Sequence, residues 1–313
     1  MFDILPYPLI VGQTELREAL EVAYVGRLGV LATGQRGTAK STTIRAFSLL
    51  VHNDLPVTLP IGVTDDRVLG GWSVEALLGE QPRPEWQKGL LARAGKTGML
   101  YVDEINLLDD HIVNLVLDAA ATGILTVQRD HADLPTEQHE FALVGSMNPD
   151  EGPLRPQLLD RFALVVSVRD EGDPATRAEI LRTLFAYDLH RTEPDSDFMA
   201  KATANAQVLR QRLHEARERC RGVACPPEII EACAAAAAAF DVVGHRGEVT
   251  MLKAAQARAA LDNVKVVEVR HLRAVAKPAL IHRRQNVDSG TLRRWGQAEE
   301  ERLDEILPAS QTG

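Results

Sequence analysis

Short apolar runs alternate with helix-like patterns through the first half of the chain. Five runs are typical of buried strands: 28–33, 57–61, 98–105, 140–147 and 162–168. Helical patterns separate several of them, one beginning at Lys40 and another covering 109–122. Because strands joined through helices pair in parallel with helices on both faces, this pattern predicts an α/β domain built on a five-stranded parallel sheet.

Two stretches are expected to lie outside that sheet. Residues 126–138 place polar side chains and a turn signal between two β-prone ends, which predicts a protruding hairpin. Residues 70–88 form an irregular insertion before Gly89. Neither stretch changes the α/β prediction for the segment around it.

The pattern changes after about residue 189. Residues 190–200 are polar and contain proline, which is typical of a linker. Beyond them strand-like runs stop, and helices are predicted near 201–221, 227–240, 246–262 and 269–284. We expect four parts: an α/β domain over 1–189, the linker 190–200, an all-α domain over 201–285, and a tail over 286–313 that can form one more helix.

Composition narrows the class of protein. Hydrophobic residues make up 45% of the 313 residues, enough for a sizeable core, and the formal net charge of −9 argues against broad contact with a nucleic-acid backbone. No secretory signal begins the sequence, and the most apolar stretch, 232–240, is about half of a membrane span, so we expect a soluble cytoplasmic protein. The three irregularly spaced cysteines predict free thiols.

A phosphate-binding loop follows the first predicted strand. Residues 34–41 read GQRGTAKS, which fits the pattern G-x-x-x-x-G-K-[ST] except that Ala39 stands at the last glycine. Such a loop aims backbone N–H groups at phosphate oxygens, while Lys40 neutralises the β- and γ-phosphates and the Ser41 hydroxyl binds Mg²⁺. Ala39 costs little if its backbone is helical, whereas a left-handed backbone would favour glycine. The sequence predicts ATP and Mg²⁺ as cofactors. The predicted binding residues of this loop are Gly34, Arg36, Gly37, Thr38, Ala39, Lys40, Ser41 and Thr42.

Two acids end the third predicted strand. Asp103 is expected at the carboxyl edge of the sheet, where open α/β sheets bind ligands, and would hold Mg²⁺ together with Ser41. Glu104 would orient and polarise the attacking water as a general base. The alternative is an ordinary strand end with solvated acids. The nearby sequence 109–111 (DDH) is interpreted as helix capping with an exposed histidine rather than a second metal site.

Three further polar residues are candidates for sensing the nucleotide. Asn148 ends the fourth strand, where an amide can contact both the γ-phosphate and the water, although such a residue alone is most often part of a turn. Arg161 precedes the fifth strand and can stabilise transition-state charge, or simply pair with Asp160 or another surface acid. Arg246 opens a predicted helix and could reach the nucleotide, or be an ordinary surface arginine.

These motifs together resemble the ATPase (I) subunit of magnesium chelatase, an AAA+ protein. The longest matching blocks, 100–123 and 145–162, are far more specific than the phosphate loop alone. Shorter matches run in the same order along most of the chain: 10–13, 34–42, 59–70, 88–94, 244–261 and 279–284.

The resemblance implies an AAA+ fold, with a five-stranded parallel sheet, flanking helices and a C-terminal all-α lid. It implies that Glu104, Asn148, Arg161 and Arg246 are the catalytic glutamate, sensor 1, the arginine finger and the sensor 2 arginine. Val11 and its neighbours would flank the adenine. The stretches 126–138 and 70–88 would match the hairpin before sensor 1 and the helix-2 insertion.

The same resemblance implies an ATPase that forms hexameric rings, with Arg161 completing the site of the neighbouring subunit. Its partners would be a von Willebrand A domain subunit and a large porphyrin-binding subunit, and the motor would drive metal insertion into a tetrapyrrole. One alternative is a MoxR-like remodelling ATPase that acts with a von Willebrand A partner on a protein client. A helicase-like motor is disfavoured by the net charge and by a hairpin without clustered positive charge.

Overall fold

Five parallel strands form one sheet in the computed structural model. The strands are β1 (Val30–Thr33), β2 (Val57–Leu59), β3 (Met99–Val102), β4 (Ala142–Met147) and β5 (Leu164–Ser167), in the spatial order β5-β1-β4-β3-β2. Each coincides with a predicted strand, so the predicted sheet is confirmed. The structure describes residues 4–73, 86–122, 124–125, 128–129, 132–133, 137–138, 140–193, 196–284 and 295–308.

The register of the three central strands decides where the loops meet. Thr33 at the end of β1 lies opposite Met147 at the end of β4, and Val102 at the end of β3 lies opposite Gly145. All three strands run in the same direction, so their carboxyl ends share one edge of the sheet. The residues that follow them, Gly34, Asp103 and Asn148, therefore begin their loops side by side.

Helices cover the sheet and contribute buried side chains to the hydrophobic core around it. The helices of this part are α1 (Thr14–Gly26), α2 (Lys40–His52), α3 (Asp65–Leu69), α4 (Leu90–Thr97), α5 (Asp110–Thr122), α6 (Pro156–Leu159) and α7 (Pro174–His190). In α2, Ile44 and Phe47 are almost fully buried, whereas α7 has no buried residue. The predicted helices from Lys40 and over 109–122 are confirmed.

The remaining helices build the second half of the chain. They are α8 (Asp197–Cys220), α9 (Pro227–Ala239), α10 (Arg246–Leu261), α11 (Val269–Leu280) and α12 (Gln297–Ile306), close to the predicted ranges. Helix α10 is central, because it packs against α8, α9, α11 and also α1. Its contact with α1 is tight: a methyl group added at Gly26 would lie 3.1 Å from the Ala257 methyl carbon. The abundant alanine of this region thus permits close helix packing.

Antiparallel hairpins occupy both stretches expected outside the sheet. Gly70–Trp72 pairs with Trp86–Lys88, and residues 74–85 of the predicted insertion lie outside the described residues. In the predicted hairpin 126–138 and just before it, Ile124–Leu125 pairs with Glu137–Gln138, and Gln128–Arg129 pairs with Ala132–Asp133. The hairpin prediction is therefore confirmed at the level of strand pairing.

Several expected features of composition can be checked in the described part of the chain. All three cysteines are free, as predicted, and burial raises the pKa of the Cys233 thiol to about 12. The described residues contain no cluster of three or more ligands that could hold a metal, and His111 pairs with Asp65 at 3.1 Å. Among the same residues, none of the helices has the length and apolarity needed to cross a bilayer.

A ring cluster joins α8 to the sheet domain. The Tyr24 hydroxyl lies 2.9 Å from His214 Nδ1, and the Tyr24 ring meets the His52 ring edge-on with centroids 5.8 Å apart. Arg217 stacks 4.6 Å above the Tyr24 ring. Burial lowers the pKa of His52 to about 4, and the charges of Arg217 and His214 act in the same direction. The cluster is thus built around a neutral His52.

We expect this cluster to make stability depend on pH. His52 becomes protonated near pH 6.5 in the unfolded chain but only near pH 4 in the folded chain. Its contribution to the free energy of unfolding is therefore fully present above pH 6.5 and is lost as the pH falls from 6.5 to 4. Urea unfolding at pH 7.5 and pH 5.5 measures how far the free energy of unfolding falls between the two. This fall should be about 1 kcal/mol smaller for His52→Gln than for the unmodified chain, after allowance for the partial exposure of His52.

His245→Gln is the matched control, because the His245 side chain is 94% exposed. This variant should keep the pH dependence of the unmodified chain. Identical pH dependence in both variants would show that His52 is not the responsible group.

Candidate functional site

A cavity of about 370 Å³ opens at the carboxyl edge of the sheet, where the loops after β1, β3 and β4 meet. It brings together most of the site residues predicted from the sequence. Its lining consists of Arg36, Gly37, Ala39, Lys40, Ser41, Thr42, Asp103, Glu104, Ser146, Met147 and Asn148. Residues far apart in the chain therefore form one site, as a phosphate loop and a strand-end acid pair require.

Two backbone positions shape the phosphate loop. Gly37 has φ +84°, and a methyl group added there would meet nothing within 4 Å, so the loop presents open space beside its backbone. A methyl group at Gly34 would lie 2.2 Å from the Val168 carbonyl oxygen, so only glycine fits against β5. Both glycines of the motif are required by geometry rather than by flexibility alone.

Ala39 is in the left-handed conformation, with φ 60° and ψ 18°. The condition under which alanine would cost little, a helical backbone, is therefore not met. A left-handed alanine places its methyl group against the following carbonyl and costs about 1–2 kcal/mol relative to a relaxed backbone. The loop carries this strain immediately before Lys40, the first residue of α2.

Lys40 is buried at the centre of the loop. Its Nζ donates to the carbonyl oxygens of Gly34 and Gln35, each at 2.6 Å, and approaches Thr38 Oγ1 at 3.3 Å. Burial lowers the pKa of Lys40, while the carboxylates of Asp103 and Glu104 oppose that shift. The loop thus places a cationic donor beside two acids at the base of the cavity.

Asp103 is held by three hydroxyl groups. Its Oδ1 accepts hydrogen bonds from Ser146 Oγ at 2.6 Å and from the Tyr101 hydroxyl at 2.7 Å. Ser41 Oγ lies 3.3 Å from Asp103 Oδ2 and 2.9 Å from the Tyr101 hydroxyl. Burial raises the pKa of Tyr101, so this phenol stays protonated and acts as a donor to the carboxylate.

Sequence reasoning missed Tyr101 and Ser146. A signal for Tyr101 was present, because residues two apart on a strand point to the same side, and Tyr101 precedes Asp103 by two. Ser146 could not be found this way. Its contact with Asp103 depends on the pairing of β4 with β3, which places Gly145 opposite Val102.

The oxygen atoms of Ser41 and Asp103 suit a magnesium ion. Mg²⁺ takes oxygen ligands at about 2.1 Å in an octahedron, in which neighbouring ligands lie about 3 Å apart. Ser41 Oγ and Asp103 Oδ2 are separated by 3.3 Å, close to that spacing. These residues therefore fit the metal that the sequence predicted.

Glu104 and Arg36 face each other across the cavity mouth. Arg36 Nε lies 3.2 Å from Glu104 Oε1, and Arg36 Nη2 lies 2.9 Å from Glu151 Oε1. Glu104 itself has a left-handed backbone, with φ 52°. An arginine of the phosphate loop thus bridges the predicted general base and a second acid.

Asn148 is placed beside the phosphate loop. It is 5% exposed and lines the cavity, and its side-chain oxygen accepts a hydrogen bond from the Asp150 amide at 3.3 Å. Asn106 supports the same loop, because its Nδ2 donates to the carbonyl oxygens of Asn148 and Gly152. The side chain therefore both forms part of a turn and reaches the cavity, so the two interpretations of this residue are compatible.

Arg161, Arg246 and Val11 do not line this cavity. Arg161 pairs with Asp118 at 2.5 Å rather than with its neighbour Asp160. Arg246 pairs with Asp160 Oδ2 at 2.5 Å, at the start of α10. The structure therefore separates both arginines from the phosphate loop of their own chain.

A second cavity, of about 480 Å³, lies between the residues before α1 and the segment after β5. Gly12 and Gln13, which follow Val11, line it together with Val168 of the segment after β5 and Ile281 after α11. Gln13 Nε2 donates to the Thr38 carbonyl oxygen at 2.9 Å, which ties this wall to the phosphate loop. The neighbours of Val11, rather than Val11 itself, border the space.

Family models match the chain in two places. A model of the AAA domain (dynein-related subfamily) matches residues 29–162, and a model of the AAA lid domain matches residues 230–306. The 38 kDa subunit of magnesium chelatase from Cereibacter sphaeroides is 40% identical, over 89% of this chain and 91% of that protein. The chain belongs to the magnesium-chelatase family of AAA+ ATPase subunits.

Solved structures agree with membership in this magnesium-chelatase family. A chain of the cryo-EM complex between the magnesium-chelatase subunits BchI and BchD is 35% identical, with a TM-score of 0.50, over 98% of this chain and 100% of that one. A crystal structure from Cytophaga hutchinsonii, 16% identical over 96% of this chain and 90% of that one, has a TM-score of 0.66 and shows the fold alone. The predicted AAA+ fold with a helical lid is confirmed, and the chain is an ATPase.

Ala39→Gly should relieve the strain at the phosphate loop. Glycine removes the left-handed penalty but loses more entropy on folding, so we expect the free energy of unfolding to rise by about 0.5–1 kcal/mol in urea titrations.

The matched control is Ala235→Gly, at an exposed position inside α9. There the same change should lower the free energy of unfolding by about 1 kcal/mol. A loss of stability in both variants would contradict strain at Ala39.

Proposed function

We propose that this chain is the ATP-hydrolysing motor subunit of a magnesium-chelatase-like complex that inserts a metal ion into a tetrapyrrole through partner subunits. One observation carries the proposal. Lys40, Ser41, Asp103, Glu104 and Asn148 converge on one cavity in a chain that is 40% identical to a magnesium-chelatase subunit over most of its length.

The proposed hydrolysis divides its tasks among these side chains. Backbone N–H groups of the loop 34–41 and the Lys40 ammonium bind the phosphates of ATP. Ser41 and Asp103 hold Mg²⁺, which when bound neutralises charge on the β- and γ-phosphate oxygens. Glu104 orients and polarises the attacking water. Asn148 contacts the γ-phosphate from the neighbouring strand end.

Tyr101 and Ser146 hold the Asp103 carboxylate in place. Each donates to the same oxygen, Asp103 Oδ1, and this leaves Oδ2 directed toward Ser41. A carboxylate fixed by two short hydrogen bonds needs little rearrangement to accept a metal ion. The two hydroxyls therefore act on the metal site through Asp103 and do not touch the nucleotide.

Arg36 takes a second role besides binding. Its ion pair with Glu104 competes with the phosphates for the same guanidinium, because a triphosphate is the stronger anion. Nucleotide binding then frees the Glu104 carboxylate to meet water. The Arg36 side chain is 66% exposed, so this exchange requires no opening of the core.

A ring of identical subunits, which we propose to be a hexamer, completes each site. Arg161 lies outside the cavity of its own chain and is 33% exposed, a placement suited to a finger that enters the site of a neighbour. Helix α7 exposes the apolar side chains of Leu181, Leu184 and Phe185. Exposed apolar patches of this kind are typical of contacts between subunits.

Arg246 is proposed as the sensor 2 arginine of the lid. It begins α10 and pairs with Asp160, the residue before Arg161, so a movement of the lid is transmitted to the finger segment. Val11 and its neighbours are proposed to flank the adenine, since Gly12 and Gln13 border the second cavity.

The proposed partners are a von Willebrand A domain subunit and a large porphyrin-binding subunit. Support for the first partner comes from the structural neighbour, which belongs to a complex of the chelatase subunits BchI and BchD. A net charge of −9 supports the absence of a nucleic-acid partner, and a cytoplasmic location remains our proposal. The match to chelatase subunits favours this function over a remodelling ATPase.

Two variants separate nucleotide binding from hydrolysis. Lys40→Ala should abolish ATP binding measured by titration calorimetry. Glu104→Gln should bind ATP normally and lower kcat by about 10²–10⁴-fold in a phosphate-release assay, because it removes the general base. Glu140→Gln is the control, since Glu140 pairs with Arg27 away from the cavity, and should keep kcat. Wild-type turnover by Glu104→Gln would refute the assignment of the base.

The same variant tests the chelatase role. Glu104→Gln, tagged and held in ATP, should retain a von Willebrand A subunit and a large porphyrin-binding subunit, whereas Lys40→Ala should retain neither. Combined with those partners, the unmodified chain should support metal insertion, followed by the absorbance change of the tetrapyrrole. Retention of a protein client in place of the porphyrin-binding subunit would favour the remodelling ATPase.

A further inference from the structure

Arg283 is the most completely bonded arginine near the finger segment. It follows α11, and its side chain is 1% exposed. An arginine side chain has five N–H donors. Its described bonds are Nε to Asp160 Oδ1 (3.0 Å), Nη2 to the carbonyl oxygens of Asp160 (2.9 Å) and Phe162 (2.6 Å), and Nη1 to those of Ala163 (3.0 Å) and Ala279 (2.6 Å).

These bonds lie on both sides of a single residue, Arg161. Arg283 binds the carbonyl oxygen on each side of Arg161, so it fixes the backbone immediately before and after the proposed finger. His282 adds a contact from the same turn, with Nε2 3.0 Å from the Phe162 carbonyl oxygen. The residues that follow α11 therefore hold the backbone around Arg161 through hydrogen bonds.

The opposite charges of Arg283 and Asp160 stabilise this arrangement. Burial lowers the pKa of Arg283 to about 10, and Asp160 opposes the shift, so the guanidinium remains charged at neutral pH. Asp160 also pairs with Arg246 through its other oxygen. One carboxylate therefore joins the start of α10, the segment after α11 and the finger.

We infer that Arg283 is a positioning residue for Arg161: by holding the backbone on both sides of it, Arg283 sets where the finger points in the neighbouring site. The inference rests on the proposed role of Arg161. Arg283 is buried, and none of its described hydrogen bonds reaches a residue that lines the cavity. Apart from the bond to Ala279 of α11, they all end on the segment 160–163.

Lysine cannot replace the planar guanidinium of Arg283. A lysine at 283 keeps the charge but offers three donors from one atom, so several buried carbonyl oxygens lose their partner and the finger shifts. A displacement of about 1 Å in a catalytic group costs about 10²-fold in rate. We therefore expect Arg283→Lys to lower kcat by about 10²-fold while ATP affinity, measured with a fluorescent nucleotide, changes by less than about twofold.

Mixing experiments locate the defect. Arg283→Lys subunits keep an intact phosphate loop, and Lys40→Ala subunits keep an intact finger. When the two are mixed, the finger of the second should serve the site of the first, and ATP hydrolysis should exceed the sum of the separate activities. Arg161→Ala mixed with Lys40→Ala is the reference pair. A chain carrying both Arg283→Lys and Lys40→Ala, mixed with Arg161→Ala, should give no recovery.

Arg284→Lys is the matched control. Arg284 is equally buried, but it pairs with Glu299 of α12 and stacks on Trp295, so its replacement should leave kcat within about twofold of the unmodified chain. If Arg283→Lys does not fold, Asp160→Asn gives the milder version. It keeps the backbone bonds and weakens the two charged bonds of Asp160, to Arg283 and to Arg246, and should show a smaller loss with the same recovery.

Two results would overturn the inference. The first is recovery of ATP hydrolysis by the reference pair but not by the Arg283→Lys pair. That result would still support Arg161 as the proposed finger. The second is an equal loss of ATP affinity and kcat in Arg283→Lys. Absence of recovery in both pairs would refute the trans-acting finger itself, and this inference with it.

Discussion

The parallel pairing of β4 with β1 and β3 is the constraint on which the site depends. It sets the ends of three strands at one edge, so that the phosphate loop, Asp103 and Asn148 emerge next to one another. The strands β1 and β3 are apolar and fully buried. A slip in register by one residue is costly, because it would turn every side chain to the opposite face and break its packing. The stability of the sheet thus fixes the geometry of the polar groups at its edge.

Within that edge, order is imposed by hydrogen bonds rather than by packing. Asp103 receives hydrogen bonds from Tyr101 and Ser146, and Lys40 donates to its own loop. Buried charges of this kind are tolerated only when they are paired or hydrogen-bonded, and here each is. Ala39 and Glu104, both left-handed, carry local backbone strain next to these groups. Strain beside a reactive group is typical of functional sites.

The contacts that attach the second half of the chain to the sheet domain include three of different kinds. Helix α10 packs closely on α1 through Ala257, the ring cluster of Tyr24 joins α8, and Arg283 binds the segment 160–163. The first contact is apolar and close-packed, whereas the third is made of directional bonds to backbone carbonyls.

The sequence alone determined the parts that follow from local pattern. Strand and helix positions, the phosphate loop and the strand-end acids were predicted because apolar periodicity and motif spacing are local properties of a chain. The AAA+ class was predicted from the resemblance of these motifs to a known family. The tertiary structure decided the rest. The hydroxyls of Ser41 and Ser146 beside Asp103 and the partners of Arg161, Arg246 and Arg283 depend on contacts between residues distant in the chain. Such contacts exist only after the strands pair and the helices pack, and no spacing in the sequence encodes them directly.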